Sequence, residues 1–163
     1  MQTKLKLEGT YYLEHWRDGK LLAKHPFDNA ITTEGRNHLL DSTFRNQTQI
    51  GAWYIGLVDA TGWSAFAATD VMASHAGWTE YTAYAESERE AWSMDAASSG
   101  SITNSTEAEF NMNATGSVKG GFITSSSVKS GTAGTLWSTA PAASDIAVIN
   151  GDLLKITYTI NTA

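Results

Sequence analysis

Four glutamates in the middle of the chain have the residue type and spacing that best suit chemistry: Glu80, Glu86, Glu88 and Glu90. Two carboxylates at a suitable separation could supply the acid and the nucleophile or base that cleave a glycosidic bond. The run Glu88-Arg89-Glu90 favours a simpler interpretation, a charged strand or loop edge in which Arg89 pairs with a local carboxylate. Because no acid, base and stabilising group can be assigned together, we expect no catalytic residues.

Motifs for metals, phosphates and nucleophiles are missing from the sequence. The histidines are His15, His25, His38 and His75, and no two of them have the HxH or HxxxH spacing of metal ligands. The sequence has no P-loop, no dinucleotide-binding glycine motif and no nucleophile elbow. The absence of Cys excludes disulfides and thiolate chemistry, and is typical of proteins assembled in a reducing cytoplasm. We therefore expect no metal and no cofactor; a metal site built from distant residues is the alternative.

Tryptophan is the informative residue type, with six in the chain. Trp63, Trp78 and Trp92 fall in the loop-rich centre, where a plain core has less need of them. They could form a stacking platform for carbohydrate, or anchor a protein interface. Core filling is the third interpretation, and it accounts for part of the set.

Length and charge limit the class of protein. The 163 residues are enough for one domain, 1–163, and the net charge of −6 argues against nucleic-acid binding. No apolar run reaches the roughly 18 residues of a membrane helix, and the first residues lack the features of a signal peptide. We expect neither nucleic acid nor membrane as a partner.

Charge is sparse and uneven. Only 17% of residues are charged, against about 25% in typical domains. Residues 1–50 carry a net charge of +1 and residues 51–163 a net charge of −7. A surface of small neutral residues is easier to explain if much of it faces other protein, although a Ser/Thr-rich surface on an ordinary cytosolic protein explains it equally well.

The first half of the chain predicts a hairpin, a helix and a buried strand. Asp18-Gly19 predicts a type I′ turn, with the return strand interrupted near His25-Pro26. A helix is expected over 34–45, capped by Thr32 or Thr33, with Leu40 stacking on Phe44. Residues 52–58 are apolar on both parities, which indicates a strand covered by the helix on one face and by a sheet on the other. A long loop with a short helical turn near 68–73 follows.

The second half predicts antiparallel strands. Residues 102–112 alternate as one strand, and Gly120-Gly121 indicates a bulge or a close backbone approach. A polar hairpin loop is expected over 125–134, and Asn150-Gly151 predicts a second type I′ turn. The sequence therefore predicts a mainly β protein, an antiparallel β-sandwich of jelly-roll-like or Ig-like type with one short helix and an N-terminal hairpin. Residues 1–30 would form the hairpin or arm, and 31–163 the sandwich body.

Several spaced motifs carry a resemblance to a known family. They are Asn29-Ala-Ile-Thr-Thr-Glu-Gly-Arg-Asn-His-Leu-Leu, Trp53-Tyr-Ile-Gly-Leu-Val-Asp, His75-Ala-Gly-Trp-Thr-Glu-x-Thr-x-Tyr, Arg89-x-x-Trp92, Phe110, Gly120-Gly121-Phe122, Gly134-Thr-Leu-Trp and Asn150-Gly-Asp-x-Leu-x-x-Thr-Tyr. The pattern resembles small structural proteins of tailed bacteriophages that are taken to be head decoration, or cement, proteins.

The resemblance implies a non-enzymatic virion protein that binds the outer surface of the major capsid protein lattice. It would act as a homodimer or homotrimer, in a virion assembled in the bacterial cytoplasm. The hairpin Lys4–Lys24 is the candidate capsid-binding or subunit-exchanging arm. A tail, collar or baseplate component and a carbohydrate-binding module are the alternatives.

The resemblance also suggests structural or interface residues. Trp78, Arg89 and Trp92 would form a packed aromatic–guanidinium cluster, with Glu80 as the partner of Arg89. The full set of candidates is Tyr11, Tyr12, Trp16, Trp63, Trp78, Glu80, Arg89 and Trp92.

Overall fold

Two antiparallel sheets packed face to face make up the protein, as the sequence predicts. The computed structural model describes residues 5–162, with eleven strands and one helix. The elements are β1 (Leu7–Arg17), β2 (Lys20–Asp28), β3 (Ala30–Ile31), α1 (Thr33–Phe44), β4 (Tyr54–Asp59), β5 (Glu80–Tyr81), β6 (Glu90–Ala91), β7 (Ser101–Ile102), β8 (Ala108–Asn111), β9 (Gly116–Thr124), β10 (Leu136–Val148) and β11 (Leu153–Thr162). Lys4, where the predicted arm begins, and the first four of the N-terminal residues considered for a signal peptide lie outside the described range.

Long strands form the centre of each sheet. The short strands β7 and β8 lie at one edge of the first sheet, whereas in the second sheet β3 lies at one edge and β5 and β6 at the other. The first sheet has the order β2-β1-β11-β7, and β8 also pairs with β11. The second has the order β3-β10-β9-β4-β5, and β6 also pairs with β4. Buried side chains from both sheets interdigitate in one core, which includes Tyr11 and Leu13 of β1, Ile55 and Leu57 of β4, Phe110 of β8, and Leu154, Ile156 and Tyr158 of β11. Within residues 5–162, no helix has the length and apolar character needed to cross a membrane.

The N-terminal hairpin is part of the first sheet. Asp18 and Gly19 have φ angles of 49° and 71°, which confirms the predicted type I′ turn. Strand β1 pairs with β11 over ten residue pairs, from Leu7 with Thr162 to Trp16 with Leu153. The predicted interruption near Pro26 is wrong, because β2 continues to Asp28. Strand β2 lies at the edge of the sheet, where one side of the strand has no hydrogen-bonding partner. A proline, which has no N–H to donate, is therefore tolerated there. A role for the hairpin as an arm stays a prediction.

The helix forms where the sequence predicts it. The Thr32 hydroxyl caps its start by accepting a hydrogen bond from the Gly35 N–H at 2.9 Å. Gly35 is buried against the backbone of Trp137, and a Cβ at this position would lie 2.5 Å from the Trp137 carbonyl oxygen. Leu40 and Phe44, the pair expected to stack along the helix, both have exposed side chains.

Strand β4 is covered on both faces, but the helix does not supply the second cover. Ile55 and Leu57 face the other sheet, whereas Val58 belongs to a separate cluster on the outer face. That cluster joins Phe122 and Leu136 of the sheet to side chains of residues 60–79, which we call the cover segment. The predicted helical turn at 68–73 is replaced by turns around an isolated bridge between Val71 and Ser74.

The C-terminal half differs from its predictions at two places. The single strand expected over 102–112 is divided into β7 and β8, with isolated bridges at Asn104 and Met112. The turn at Asn150-Gly151 is not type I′: Gly151 has a φ of 90°, but Asn150 has no positive φ, as in a type II turn. The close backbone approach expected at Gly120 is confirmed, because a Cβ there would meet the Ala140 carbonyl oxygen.

Candidate functional site

A buried ion pair joins two of the predicted site residues. Arg89 donates from Nε to Glu80 Oε1 at 2.9 Å and from an Nη atom to Oε2 at 2.8 Å, a bidentate arrangement. Both charged groups are almost fully shielded, with 0% and 7% of their side chains exposed. The predicted pairing of Arg89 with a local carboxylate is confirmed, and Glu80 is the partner.

The same guanidinium also fixes the loop between β9 and β10. It donates to the carbonyl oxygens of Ser126 at 2.8 Å and Gly131 at 3.1 Å, and it lies 5.2 Å from the centre of the Phe122 ring. The Ser130 N–H donates a hydrogen bond to Glu80 Oε2 at 2.7 Å. Every guanidinium nitrogen is therefore bonded within the chain, so the pair acts as a clasp between β5, the start of β6 and this loop.

Trp78 fastens the cover segment to the second sheet. Its indole Nε1 donates to Asp70 at 3.0 Å, and its ring lies 5.0 Å from the centre of Phe122. His75 stacks on the indole at 3.9 Å. Trp78 is buried, and Trp63 is half-buried beside Phe66 and Lys119. These contacts make the segment a third layer over the outer face of the sheet.

Trp92 lies apart from this group. Its Nε1 donates to the Tyr158 carbonyl oxygen at 3.2 Å, and its ring meets Tyr158 edge-on at 4.9 Å in the core between the sheets. The single cluster of Trp78, Arg89 and Trp92 that the resemblance implied is therefore wrong. Trp78 and Arg89 meet through Phe122 on the outer side of the second sheet, whereas Trp92 packs on its inner side.

The three candidates on β1 are divided between the two faces of the strand. Tyr11 is fully buried, stacks on Phe27 at 5.2 Å, and its pKa is raised because burial disfavours the phenolate. Tyr12 is exposed, and Trp16 is half-buried with its Nε1 bonded to Glu14 at 2.9 Å. Tyr12 and Trp16 are thus the members of this trio that can reach another molecule.

The burial of the central tryptophans limits which of them could stack on a carbohydrate. Trp78 and Trp92 are 2% and 5% exposed, so neither presents a ring face on which a sugar could stack. Of the three central tryptophans considered for a platform, Trp63 alone keeps part of its surface exposed.

The remaining central carboxylates, Glu86, Glu88 and Glu90, lie outside the ion pair of Glu80 and Arg89. Glu86 accepts hydrogen bonds from the backbone and side-chain nitrogens of Asn111. Burial raises the pKa of Glu90, which is half-buried on β6, and Glu88 is exposed. Within residues 5–162, no group of three or more His, Asp or Glu side chains could hold a metal ion.

The sequence analysis missed a buried carboxylate at the opposite end of the sandwich. Asp152 accepts hydrogen bonds from Nε of Arg17 at 2.6 Å, from Nε2 of His15 at 2.8 Å and from the Ile149 N–H at 2.9 Å. These bonds, above all those from Arg17, hold the pKa of Asp152 far below its usual range. The network ties the turn between β10 and β11 to the end of β1. The i,i+2 placement of His15 and Arg17 on one strand was the available signal.

A second missed feature is an exposed apolar stripe on α1. Leu40 and Phe44 are 53% and 78% exposed, and Arg36 lies one turn earlier on the same face. Beside the stripe, a groove runs between the helix and the starts of β1 and β3. The four-residue spacing of Arg36, Leu40 and Phe44 is visible in the sequence, but spacing alone does not tell which side of a helix faces the body.

The sequence matches the model of a known protein family. The sequence model of a family described as podophage GP4 fiber I protein gp80 matches residues 30–161, which is most of the chain. The chain belongs to this gp80 fiber family. Comparison with individually curated proteins gives no match.

Membership of the gp80 fiber family identifies a bacteriophage virion structural protein. This supports the kind of protein that the sequence analysis inferred from the resemblance, but it does not support head decoration in particular. The family description names a fiber, which favours the tail-side alternative over capsid decoration. The matched range contains the Glu80–Arg89 clasp, the cover segment and α1, whereas β1 lies before it.

Proposed function

We propose that the protein is a non-enzymatic fiber subunit on the tail side of a podophage virion, where it associates with copies of itself and with neighbouring virion proteins. The observation that carries the proposal is the match of residues 30–161 to the gp80 fiber family. The virion would be assembled in the bacterial cytoplasm, to which a chain without Cys is well suited.

The way in which the chain uses its buried charges supports a structural role. Arg89, Asp152 and Asp70 all bond to groups of the same chain, at the clasp, at the β10–β11 turn and in the cover segment. Buried charges that are paired and hydrogen-bonded hold elements in register, and removing one partner is strongly destabilising. These charges therefore hold the module rigid, which suits a structural role.

Surface composition supports assembly with other protein. The part of the chain from residue 96 to residue 163 contains only three basic residues, Lys119, Lys129 and Lys155, among many small neutral ones. Each of these lysines is used within the chain: Lys119 pairs with Asp145, Lys155 with Glu109, and Lys129 donates to the Tyr84 carbonyl oxygen. A surface with few free charges can enter a lattice with little desolvation cost.

Immunolabelling of the virion tests the location. Antibodies raised against the purified protein are bound to intact particles and imaged by electron microscopy, with antibody preabsorbed on the protein as control. Label at the tail is the expected result. Label spread over the head would overturn the tail-side location and support capsid decoration, with the major capsid protein as partner. Particles without label, together with absence of the chain from purified virions, would overturn a virion role.

Binding to heads and a substrate screen test the other parts of the proposal. Purified protein added to undecorated heads should not bind in lattice stoichiometry if it is a tail-side subunit. A screen of glycosidase and esterase substrates should give no turnover. Turnover that a Glu86→Gln or Glu90→Gln variant abolishes while remaining folded would overturn the non-enzymatic role.

A further inference from the structure

The exposed stripe on α1 is an unusual feature for a surface helix. Gly35 faces the body, where it touches Trp137, so the opposite side of the helix points to solvent. Phe44 lies on that side, and Leu40 and Arg36 precede it at intervals of four residues; all three side chains are exposed. Single exposed apolar residues are common, but two large ones on one face next to an apolar groove indicate a surface that another molecule covers.

The groove beside the stripe is large enough to accept an aromatic side chain. It has a volume of about 470 Å³ and is lined mainly by Leu5, Leu7, Ile31, Arg36, Leu39 and Leu40. For comparison, an engineered apolar cavity of roughly 150 Å³ is enough to bind benzene. Phe44 of the same chain does not fill the groove, because its side chain is 78% exposed.

We propose that α1 is a homodimer surface, on which the helices of two copies pack antiparallel about a two-fold axis at Leu40. Phe44 lies four residues after Leu40 and Arg36 four residues before it, which is about 6 Å along the axis in each direction. An antiparallel pair therefore brings Phe44 of each copy level with Arg36 of the other. The surface carries both a protruding ring, Phe44, and a recess whose lining includes Arg36 and Leu40, and a two-fold contact needs two such complementary parts on each copy.

The charge of Arg36 favours a second copy of this chain as the molecule that covers the stripe. Among residues 5–162, Arg36 forms no salt bridge; its guanidinium donates to the Thr33 hydroxyl at 3.2 Å. The face of an aromatic ring attracts a guanidinium without introducing a further charge. Phe44 of a second copy supplies such a ring at the level of Arg36, and no other partner is needed to complete the contact.

A contact between the two helices alone would be smaller than a stable dimer needs, so the groove must be part of the interface. A specific interface covers about a tenth of a small protein's surface on each partner, and this chain exposes 8555 Å². A helix of 12 residues is only about 18 Å long, so two helices touching along one line cover much less than that. Entry of Phe44 into the partner's groove extends the contact to Leu5, Leu7 and Ile31.

Site-specific crosslinking tests the surface directly. The chain has no Cys, so in the Leu40→Cys variant a short bifunctional maleimide can join only the introduced thiol of one copy to the same thiol of another. The matched control is Val128→Cys, at an exposed apolar residue in the β9–β10 loop. We expect covalent dimers from the first variant at low micromolar protein and at least tenfold fewer from the second. Equal crosslinking of the two variants, or none at Leu40→Cys, would overturn the proposal.

Dissociation of the dimer is the second test. Phe44→Ser should raise the dimer dissociation constant at least tenfold in analytical ultracentrifugation. Its thermal unfolding curve should match that of the wild type when both are diluted until they are monomeric, because the Phe44 side chain is largely exposed within its own chain. This inference rests on the self-association part of the proposed function, and the results separate the two. Self-association that persists in Phe44→Ser, without crosslinks in Leu40→Cys, would overturn the surface alone. Virions without the chain would overturn the proposed function while leaving the dimer measurement intact.

Discussion

Asp152 and His15 lie 137 positions apart in the chain, yet their side chains meet at 2.8 Å in the buried end of the sandwich. Arg17 approaches the same carboxylate from the exposed side with two bonds, at 2.6 and 2.8 Å. One carboxylate therefore joins the first strand to the turn before the last strand. These two strands are neighbours in the first sheet, so the network holds the ends of β1 and β11 in register.

The Asp152 network predicts an acid-dependent loss of stability. Arg17 above all, and then Ile149 and His15, hold the pKa of Asp152 below the value of about 3.9 expected in the unfolded chain. A carboxyl whose pKa is lowered by folding stabilises the protein above its unfolded pKa, and that stabilisation is lost as the pH falls towards its folded pKa. We expect the free energy of unfolding, measured in urea, to fall as the pH is lowered below about 4.

Asp152→Asn isolates this effect. At pH 7 the variant should lose about 1.5–3 kcal/mol of stability, because the buried side chain no longer offers a charged acceptor to Arg17, the Ile149 N–H and His15. The part of the acid dependence that belongs to Asp152 should disappear with it. Asp145→Asn is the control: that carboxylate pairs with Lys119 but is exposed, so its loss should cost at most about 1 kcal/mol. Equal losses in the two variants would contradict the role given to the buried network.

The clasp between Arg89 and Glu80 predicts that lysine cannot replace arginine. Arg89 uses its planar fork on the carboxylate and reaches two carbonyl oxygens as well. Lysine has one point charge and cannot bond to all of these acceptors together. We expect Arg89→Lys to destabilise the protein by about 2–4 kcal/mol and Arg89→Ala by about 3–5 kcal/mol in chemical denaturation.

Arg45→Ala provides the matched control for the clasp. Arg45 also pairs with a carboxylate, Asp41, but on the exposed surface of α1. Exposed pairs four residues apart on a helix contribute about 0.3–0.5 kcal/mol. If Arg89→Lys cost no more than Arg45→Ala, the bidentate geometry would not be what fastens the loop.

The sequence alone predicts those features of the fold that depend on residues close together in the chain. Asp18-Gly19 accepts two positive φ angles and so predicts the hairpin, and Thr32 predicts the helix start. The alternation of Leu154, Ile156 and Tyr158 identifies the inward face of β11. Even the Arg89 pairing follows from local charge, because an arginine among glutamates is expected to find one of them.

Features that depend on distant contacts could not be predicted in this way. Pro26 by itself indicates an interruption of β2, but its effect depends on the position of β2 at the sheet edge. Asn150-Gly151 by itself indicates a type I′ turn, but Asp152 bonds back to the Ile149 N–H and is itself held by Arg17. The exposure of Leu40 and Phe44 depends on which side of the helix contacts Trp137.

The contact of Gly35 with Trp137 predicts that alanine, although it is the better helix former, destabilises α1 at position 35. Alanine is normally favoured over glycine in a helix by about 1 kcal/mol. At position 35, however, the added methyl group would lie 2.5 Å from the Trp137 carbonyl oxygen, so the helix must move away from the sheet. We expect Gly35→Ala to destabilise the protein by about 1–3 kcal/mol, as in other overpacked sites.

Asn37→Ala should have the opposite sign in the same helix. Asn37 is exposed, and alanine is the better helix former by up to about 0.7 kcal/mol. The thermal midpoints of the two variants, measured side by side, should therefore move in opposite directions. A stabilising effect of both substitutions would show that α1 does not pack tightly against β10.

Trp78 predicts that the cover segment is part of the cooperative fold. Trp78→Ala should cost about 3–5 kcal/mol, because it empties the cluster over β4 and β9 and leaves Asp70 without its indole partner. Trp78→Phe keeps an aromatic ring and loses mainly the hydrogen bond, which corresponds to about 1–2 kcal/mol. Tyr12→Ala, at an exposed aromatic on β1 beside Lys24, should cost at most about 1 kcal/mol. If Trp78→Ala unfolded with the wild-type midpoint but became sensitive to proteolysis between residues 60 and 79, the segment would be a separately opening layer instead.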